Sequence, residues 1–494
     1  MTRIHADKQK NKIRNNPCNP RHPCSKLMKS FTRGTFLLMA AQGVLMLSGY
    51  ALNVFLARHF GPEQYGVYGV AMAVLVWVEL FVINGVPTAM QKFLAESPER
   101  ASAWIRLGRR MQFGYALIIF AVFILSVPLI SASFDDPAFK KILWIAAPDI
   151  LLYGLYWFYL GAHSGLHRFE SQALIIASYG LSKVTCCIGL ILLGAGLDGA
   201  LIGNFLGSTV GLMIGVVLLS RANLPKTYAV EHYSSLIKFA VPIVLYTLCN
   251  NGLLYIDLIF VKKFLPSAAA GHYTAAATIA RVPYFIFLGL TATVLPALSR
   301  TLSQENLEAS RGLLRQTMRL LFGLLIPVLA LVIANANEIV ELLYTATYDP
   351  ATPILRLLIA GIAMYTLLVV LCTIMSADGY ANRAFQINLA AAAADVLLCF
   401  MLVPKYGTQG AALATLLAAT LGTFVAGILV LKRFGSILPW RSFWRAIIAG
   451  GTILGLAVWW QTAGVMLLIE LVVLVGVYFS VLYVLDEFKN IKKI

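Results

Sequence analysis

Charged side chains are scarce in this chain. Of its 494 residues, 12% are charged and 59% are hydrophobic, and the mean hydropathy is +0.79. A soluble domain carries about 25% charged residues, so this chain has too few charges to cover the two or three domains that its length would fill. The composition excludes an ordinary cytosolic enzyme, a disordered protein and a secreted disulfide-rich domain. It indicates a protein whose solvent is mostly lipid.

Catalytic and metal-binding signatures are also missing. The sequence has no GxxxxGK[ST] phosphate loop, no HExxH and no GxSxG. We therefore predict that the chain is not an enzyme, uses no cofactor and does not hydrolyse ATP. Five of the seven cysteines lie within apolar runs, which is typical of small core residues. The other two, Cys18 and Cys24, form with His22 too sparse a ligand set for zinc, so we predict no metal site.

Basic residues outnumber acidic ones, and their distribution decides what this means. The 39 Lys and Arg against 22 Asp and Glu give a net charge of +17. Nine of these basic residues lie in the first 33 positions, and most others lie in short segments between apolar runs. This pattern is typical of a polytopic membrane protein that uses its basic loops to set orientation. We expect no nucleic-acid partner.

Fourteen apolar runs are long enough to cross a bilayer core of roughly 30 Å, which takes about 20 helical residues. The predicted spans are 34–57, 67–90, 111–133, 142–163, 171–195, 198–220, 237–261, 273–298, 317–336, 354–376, 384–404, 410–431, 442–461 and 463–485. When basic residues within four positions of a span end are counted with the adjoining loop, 30 Lys and Arg fall on the side of the N-terminus, 7 fall on the other side and 2 lie within spans. The asymmetry predicts an all-α polytopic protein with both termini in the cytoplasm.

Residues 1–33 are polar, basic and rich in Asn and Pro, so we predict a disordered cytoplasmic tail. The first apolar run is too long for a signal-peptide core, and no small-residue cleavage site follows it, so it should stay as span 1. The remaining units are a six-helix lobe at 34–221, a cytoplasmic linker at 222–236, a second six-helix lobe at 237–433, and spans 13 and 14 with the C-terminus at 434–494.

The division into two lobes comes from an internal repeat. Pro87 precedes Phe113 by 26 residues, and Pro296 precedes Phe322 by the same 26. The other matched segments are 58–62 with 262–266, 66–68 with 271–273, 136–138 with 349–351, and 196–200 with 407–411. Chance similarity between apolar segments is the alternative, but ordered matches at near-constant spacing favour a duplication of spans 1–6 as spans 7–12.

Six crossings return the chain to its starting side, so the two copies should have the same orientation. They should then be related by an axis along the membrane normal, with the substrate path between them. Spans 13 and 14 lie outside this duplication.

Charged residues inside spans cost roughly 2.5–3.5 kcal/mol each on insertion scales, which makes each of them a functional candidate. Lys183 and Arg281 lie near the middle of their spans, as do Glu79 and Asp395. A guanidinium or ammonium in a low-dielectric cavity binds phosphate strongly. We predict that Arg281 and Lys183 contact substrate and that Glu79 and Asp395 are candidates for H⁺ or Na⁺ coupling. The alternative for Arg281 is a structural ion pair, for example with Glu79.

A polar stripe appears at matching positions of spans 1 and 7. Tyr246, Asn250 and Asp257 share a helix face, and the positions 204 residues earlier are Gln42, Met46 and Asn53. Such stripes cannot face lipid unsatisfied, so we predict that Gln42, Asn53, Asn250 and Asp257 line a wet central cavity. Two alternatives remain open: hydrogen bonding between helices in a dry interior, and for Asp257 a position at the membrane interface.

Several segments resemble one known family. The segments 31–34, 57–66 and 85–90 resemble bacterial polysaccharide-biosynthesis membrane proteins, the O-antigen and capsule flippases of the multidrug/oligosaccharidyl-lipid/polysaccharide exporter superfamily. The resemblance covers roughly residues 30–485 and implies two six-helix lobes around a V-shaped cavity that opens to alternate sides. It also implies an undecaprenyl-diphosphate-linked oligosaccharide as substrate. Spans 13 and 14 are similar to the extra helices of fourteen-helix members, which shape a groove for a lipid tail.

Together these features predict a flippase that moves a polyprenyl-diphosphate-linked oligosaccharide across the bacterial inner membrane for surface polysaccharide export. Its expected partners are that lipid-linked oligosaccharide, a coupling ion and polysaccharide-assembly proteins. The alternatives are a peptidoglycan lipid-precursor flippase, a cation-coupled multidrug exporter and, in a different class, a membrane-embedded glycosyltransferase or polymerase. The last alternative has little support, because the acidic pair Asp135 and Asp136 lies in a loop too short for catalysis.

Overall fold

The computed structural model describes residues 24–134, 136–222, 224–225, 233–304, 306–435, 437–460 and 462–487. These ranges are helical almost throughout and contain no β-strand. The helices are α1 Cys24–Asn84, α2 Val86–Glu96, α3 Ala101–Ser133, α4 Pro137–Ala146, α5 Pro148–Gly165, α6 Phe169–Leu190, α7 Gly196–Ser220, α8 Tyr233–Phe264, α9 Ser267–Ala280, α10 Val282–Ser303, α11 Leu307–Ala334, α12 Ala336–Leu343, α13 Ala351–Ala377, α14 Ala381–Phe434, α15 Trp440–Trp459 and α16 Met466–Val484.

The all-α polytopic prediction is confirmed. In the described part of the chain, ten helices are long and apolar enough to cross a membrane, or eleven if the bent pair Leu236–Cys249 and Asn251–Phe264 is one span. Three of the ten run for 64, 52 and 54 residues, namely Arg33–Glu96, Phe169–Ser220 and Ala381–Phe434. Each is far longer than the roughly 20 residues that one crossing needs. The count of fourteen stays a prediction.

The first helix begins earlier than predicted. Residues 24–33 were assigned to the disordered tail, but α1 already begins at Cys24. Pro23 precedes this start, and proline favours the first positions of a helix because it has no N–H to leave unsatisfied. The apolar residues Leu27 and Phe31 continue the helical pattern toward the first span. Residues 1–23, which make up most of the predicted tail, lie outside the described residues.

Glycines in left-handed conformation break the three long helical segments. Gly61 has φ +70°, Gly194 has φ +90° and Gly407 has φ +60°. These values favour glycine because a side chain would clash with the backbone there. Gly196 and Gly407 occupy matching positions of the sequence repeat, and their φ/ψ values of 57°/−140° and 60°/−140° are nearly equal. The chain therefore changes direction in the same way at matching points of the two copies.

Helix packing follows the same correspondence. We call α1–α7 the first half and α8–α14 the second half. In the first half α1 packs against α6, and α5 packs against α7. In the second half α8 packs against α14, and α14 packs against α13. One large apolar core runs through both halves, so van der Waals packing of its side chains holds the two halves together.

The two halves approach most closely where α1 crosses α9. A Cβ atom on Gly66 would lie 2.0 Å from the carbonyl oxygen of Ser267, and one on Gly271 would lie 1.8 Å from the carbonyl oxygen of Pro62. Both distances are too short for any side chain. Gly66 and Gly271 are matching positions of the repeat, and we call this contact the glycine crossing. Small residues permit such close backbone packing between membrane helices.

The two C-terminal helices pack on the outside of the second half. α15 lies against α11, and α16 lies against α15. Their shared core contains Leu331, Ile453 and Leu474. A central cavity lies between the two halves, and none of its lining residues in the described part of the chain belongs to α15 or α16. These helices therefore enlarge one side of the molecule without entering its centre.

Candidate functional site

A cavity of about 740 Å³ lies between the two halves. The first half contributes residues of α1 and α6, and the second half contributes residues of α8, α9 and α10. Polar side chains in its lining are Gln42, Asn53, Lys183, Thr274, Thr278 and Arg281, and larger apolar or aromatic ones are Met46, Tyr50, Tyr68, Met72, Tyr255, Phe285 and Leu288. The cavity is thus amphipathic, and it runs along α1 for about 16 Å from Gln42 to Asn53 by helical rise.

The charge of this cavity is positive. Lys183 enters from the first half and Arg281 from the second, whereas no carboxylate is among the described lining residues. Four predicted site residues therefore meet in one space, namely Gln42, Asn53, Lys183 and Arg281. An anion placed between the halves would be attracted from both sides.

Arg281 is held firmly at the junction of α9 and α10. Its Nη2 donates a hydrogen bond to the carbonyl oxygen of Leu254 on α8. The guanidinium carbon lies 4.4 Å from the ring centroid of Tyr255, a cation–π contact. The side chain is 12% exposed, and its buried Nε has no partner among the described residues. The guanidinium is therefore positioned by α8 and still retains unused hydrogen-bonding capacity.

Asp257 lies behind Arg281 and does not line the cavity. Its Oδ1 lies 4.0 Å from Nη2 of Arg281, and its side chain is 1% exposed. The hydroxyl of Tyr273 donates to its Oδ2 at 2.5 Å, and the Leu258 amide donates to its Oδ1 at 2.7 Å. The structure therefore gives Arg281 an ion pair, but the partner suggested for it, Glu79, is wrong, because the carboxylate near Arg281 is Asp257 of α8. These partners enclose the carboxylate of Asp257, so it does not reach the outer surface of the protein.

Asp395 lies near Asp257 in the second half. It is fully buried on α14, where Sγ of Cys399 approaches its Oδ1 at 3.8 Å. Its Oδ2 has no partner in the described part of the chain. Asp257 is close enough to interact with it electrostatically. The structure thus brings together two buried carboxyl groups that the sequence places on different helices.

A second pair of acids is buried in the first half. Glu79 of α1 and Asp149 of α5 interact electrostatically with each other and with Lys183. Nδ2 of Asn204 on α7 donates to Oδ2 of Asp149. One carboxyl oxygen of each acid lacks a partner among the described residues. Lys183 therefore stands between this acid pair and the cavity.

The remaining predicted residues have distinct surroundings. Asn53 lines the cavity and also accepts a hydrogen bond from the hydroxyl of Tyr65 at 3.1 Å, so its amide serves both the cavity and helix packing. Gln42 lines the cavity nearer the beginning of α1. Asn250 belongs to α8, but its side chain lies outside the described part of the structure.

The sequence analysis did not single out the tyrosines of the site. Tyr68 lines the cavity, and its repeat counterpart Tyr273 holds Asp257. Both belong to the repeated segments 66–68 and 271–273, so the repeat itself was the signal that could have identified them. Tyr50 and Tyr255 carried no such signal, because aromatic residues are common throughout apolar helices.

Contacts between the halves close one end of the cavity, which we call the closed end. Nζ of Lys262 lies 2.9 Å from Oδ2 of Asp136 and also donates to Oγ of Ser267. Nε of Arg58 donates to the carbonyl oxygen of Leu343 at 2.8 Å. The hydroxyl of Tyr348 donates to the carbonyl oxygen of Ala57 at 2.9 Å. The glycine crossing lies at the same end. A solute in the cavity could not leave past these contacts without their rupture.

Known proteins share this architecture. Stage V sporulation protein B of Bacillus subtilis is 23% identical to this chain, over 82% of this chain and 84% of its own length. The Haloferax volcanii protein named "Probable flippase AglR" is 19% identical over 86% of this chain and 88% of its own length. A structure titled "Lipid II flippase MurJ, inward closed conformation" superposes with a TM-score of 0.73 at 18% identity, over 92% of this chain and 99% of the other. At this identity the superposition shows a common fold.

The family is shown by a sequence model that covers more than half of the chain. The model described as "Polysaccharide biosynthesis protein" matches residues 55–353. This range contains the glycine crossing, Lys183 and Arg281. It confirms the resemblance noted in the sequence, and the chain belongs to the polysaccharide biosynthesis protein family.

Proposed function

We propose that this protein is a flippase that moves a polyprenyl-diphosphate-linked oligosaccharide across the bacterial inner membrane by alternating access. The observation that carries the proposal is the basic cavity between the halves, with Lys183 on one side and Arg281 on the other. A diphosphate is the anionic part of such a substrate. Arginine binds phosphate oxygens through paired N–H donors, and lysine adds a mobile point charge.

The amphipathic lining suits the rest of such a substrate. Sugars cannot cross hydrocarbon unaided because their hydroxyl groups would lose their hydrogen bonds. The polar and aromatic side chains of the cavity offer hydrogen bonds and ring faces to a headgroup. A polyprenyl tail can stay in the bilayer while the headgroup passes between the halves.

The relatives support flipping as the activity. One relative is named a flippase, and the protein with the similar fold is a lipid II flippase. A peptidoglycan lipid-precursor flippase is therefore the second candidate, because its substrate also combines a lipid, a diphosphate and sugars. A multidrug exporter for cations fits less well, since Lys183 and Arg281 would repel a cationic drug.

We infer fourteen membrane crossings for the whole chain. Each of the three long segments contains a left-handed glycine and has the length of two crossings. Dividing them raises the eleven spans to fourteen, with two matching sets of six followed by α15 and α16. An even count places both termini on one side, and the basic loops favour the cytoplasm.

We also infer that the buried acid pairs couple transport to H⁺ or Na⁺. Glu79 lies beside Lys183, and Asp395 lies beside Asp257, which neighbours Arg281. An anion that binds the two cations would weaken their attraction for these carboxylates and favour uptake of a cation there. Flipping that depends on an imposed pH or Na⁺ gradient, and loses this dependence in Glu79→Gln or Asp395→Asn protein, would support the inference. Gradient-dependent flipping by both variants would contradict it.

The decisive experiment measures flipping in proteoliposomes. A fluorescent polyprenyl-diphosphate oligosaccharide is reconstituted with the protein, and an external quencher reports the fraction of label in the outer leaflet. We expect Arg281→Ala to lower the flipping rate at least tenfold and Arg281→Lys to recover part of it, because a lysine cannot provide the bidentate contact. Arg383→Ala, at an exposed arginine of α14, is the matched control and should flip normally.

Loss of folding must be separated from loss of substrate binding. Removing Arg281 leaves Asp257 without its neighbouring cation, and an uncompensated buried charge destabilises a protein. The double variant Arg281→Ala with Asp257→Asn removes both charges and should restore protein yield but not flipping. Flipping by this double variant at the normal rate would contradict the proposal. Flipping of lipid II at a higher rate than the oligosaccharide would favour the second candidate.

A further inference from the structure

The central cavity divides into zones along α9 and α10. Its lining residues on this stretch include, in chain order, Thr274, Thr278, Arg281, Phe285 and Leu288. Their spacing of three or four residues places them on one helical face. From Thr274 to Leu288 this face extends about 21 Å, at 1.5 Å per residue. Arg281 therefore separates a zone lined by hydroxyl groups from a zone lined by apolar side chains.

The zone of hydroxyl groups lies next to the closed end. A Cβ atom on Gly69 would lie 2.4 Å from Oγ1 of Thr274, and Gly69 is one turn after Gly66 of the glycine crossing. On α1, Asn53 lies one turn before Ala57, whose carbonyl oxygen belongs to the closed end. We call the part of the cavity lined by Thr274, Thr278, Asn53 and Tyr68 the neutral zone. These four side chains are uncharged and lie between Arg281 and the closed end.

Both threonines of the neutral zone have committed their hydroxyl protons. Oγ1 of Thr278 donates to the carbonyl oxygen of Thr274 at 2.8 Å. Oγ1 of Thr274 donates to the carbonyl oxygen of Ala270 at 2.7 Å. A threonine hydroxyl has one proton and two lone pairs, so each oxygen keeps its lone pairs after this donation. The two threonines therefore present hydrogen-bond acceptors to the cavity.

Asn53 and the neighbouring Tyr65 add to this pattern. The hydroxyl of Tyr65 donates to Oδ1 of Asn53 at 3.1 Å, and Nδ2 of Asn53 donates to the carbonyl oxygen of Gly49 at 2.9 Å. The hydroxyl oxygens of Tyr65 and Thr278 are 3.5 Å apart, which is long for a hydrogen bond between hydroxyl groups. The protons of both groups are bonded elsewhere, so this contact leaves acceptor capacity on Thr278. A ligand for this zone should bring hydrogen-bond donors.

We propose that the neutral zone binds the sugar joined directly to the diphosphate and recognises the hydroxyl or acetamido N–H donors of that sugar. The inference rests on the proposed function, which places the diphosphate at Lys183 and Arg281. Thr278 precedes Arg281 by three residues, about 4.5 Å along the helix. The group next to a phosphate bound at Arg281 is therefore within reach of Oγ1 of Thr278. The ring of Tyr68 offers an apolar face to the same sugar.

The zone on the other side of Arg281 sets the direction of the substrate. Apart from Gln42, it is lined by apolar side chains such as Met46, Phe285 and Leu288. A sugar placed there would lose hydrogen bonds of its hydroxyl groups, which is costly in apolar surroundings. The first isoprenoid unit of the lipid has no such requirement. The headgroup therefore lies with its sugar toward the closed end and its polyprenyl chain away from it.

Equilibrium binding to the full-length protein in detergent tests the proposal. The three probes are a polyprenyl diphosphate that carries one hexose, the same lipid without a sugar, and the same lipid with a hexose whose free hydroxyl groups are all methylated. We expect the hexose lipid to bind about tenfold more tightly than the other two, the difference expected from one or two hydrogen bonds. Equal affinity for the hexose lipid and the methylated lipid would overturn the proposal, since methylation removes the donors and keeps the acceptors.

Two variants assign this preference to the threonines. Thr274→Val with Thr278→Val removes both hydroxyl oxygens and keeps the shape of the side chains. This double variant should bind the hexose lipid about tenfold more weakly and the sugar-free lipid with unchanged affinity. Thr278→Ser keeps the acceptor and should bind all three probes normally. Thr366→Val is the matched control, because the Thr366 hydroxyl also donates to a carbonyl oxygen one turn earlier but does not line the cavity.

Arg281→Ala separates this inference from the proposed function. It should weaken binding of the hexose lipid and of the sugar-free lipid alike, because both carry the diphosphate. If it does so and the double valine variant changes neither affinity, or lowers both equally, the neutral zone is not the sugar site although the diphosphate site stands. If Arg281→Ala leaves both affinities unchanged, the diphosphate does not bind there and the proposed function itself fails.

Discussion

Buried acids in this protein obtain their partners from other helices. Asp257 of α8 accepts from Tyr273 of α9, and Asp149 of α5 accepts from Asn204 of α7. An unpaired carboxylate is costly in a low-dielectric interior. These side-chain contacts therefore tie helices together as well as satisfy the acids.

Tyr273 offers a direct test of this role. We expect Tyr273→Phe to lower the free energy of unfolding by about 1–3 kcal/mol, because Asp257 loses a hydrogen bond in a buried site. Tyr68→Phe at the matching position of the repeat is the control, since in the described part of the chain the Tyr68 hydroxyl donates no hydrogen bond to a carboxylate. Thermal unfolding in detergent measures both variants. Equal melting temperatures for the two would show that the bond to Asp257 contributes little.

Glu487 makes stability depend on pH. Burial raises the pKa of Glu487, but hydrogen bonds from Ser442 and Arg445 and the charge of Arg319 lower it more, so the pKa lies below its usual value of 4.5. Because the pKa of Glu487 is lower in the folded protein than in the unfolded chain, its ionised carboxylate stabilises the folded state at pH values above the unfolded-state pKa. This stabilisation is lost as the pH falls through the folded-state pKa.

The corresponding variant should therefore behave differently at two pH values. At pH 7 we expect Glu487→Gln to lower the melting temperature, since two arginines lose their carboxylate. As the pH falls below 4.5 the difference from the unmodified protein should shrink, and it should be smallest below the lowered folded-state pKa, where Glu487 is neutral in the folded protein as well. Glu96→Gln removes an exposed pair with Lys92 and should have little effect at either pH. A difference that stays constant with pH would exclude this role for Glu487.

Among the structural elements, the glycine crossing imposes the strictest packing requirement. Because Cβ atoms on Gly66 and Gly271 would overlap carbonyl oxygens of the opposite half, even alanine forces α1 and α9 apart. We expect Gly66→Ala to loosen the closed end and to raise the labelling rate of a cysteine placed at Thr278 by a maleimide added from that side. Gly189→Ala is the control, since a Cβ there meets nothing within 4 Å. Unchanged labelling in Gly66→Ala would show that the closed end does not depend on this contact.

Helix positions and the repeat were accessible from the sequence because apolar length and motif spacing are local signals. The sequence repeat marks Gly407 as a matched position, but only the structure shows that the helix breaks there, with a positive φ. The beginning of α1 was missed, since the polar residues of 24–33 conceal a helix that extends beyond the apolar run. A helix can continue outside the bilayer, where composition no longer marks its limits.

The sequence predicted the cavity only in part. Gln42, Asn53, Lys183 and Arg281 were identified because polar groups in apolar spans are rare, and all four line it. Asp257 had the same signal but lies behind Arg281, since side-chain direction on a helix depends on which neighbours pack there. The partners Tyr273 and Asn204 could not be assigned, because contacts between distant helices leave no trace in one sequence.

For the whole molecule, the main prediction concerns topology. Reporter fusions should place Lys493 on the cytoplasmic side, together with the segments 97–100 and 304–306. Fourteen crossings require this arrangement, and the basic residues that lie in or near these segments, Arg100 and Arg106 in one case and Arg300 and Arg311 in the other, favour it. A fusion at Asp198 should report the opposite side. A Lys493 fusion on the outer side would show an odd number of crossings and would contradict the division of the three long segments.

The closed end is built largely on main-chain acceptors. Arg58 donates to the carbonyl oxygens of Leu342 and Leu343, and His272 contacts that of Thr347. Every amino acid supplies the same carbonyl group, so these acceptor positions can drift through evolution without loss of the bond. The donors have no such freedom. Sequence divergence among homologues should therefore be greater at positions 342, 343 and 347 than at Arg58, and a search for co-varying pairs would overlook this contact between the two halves.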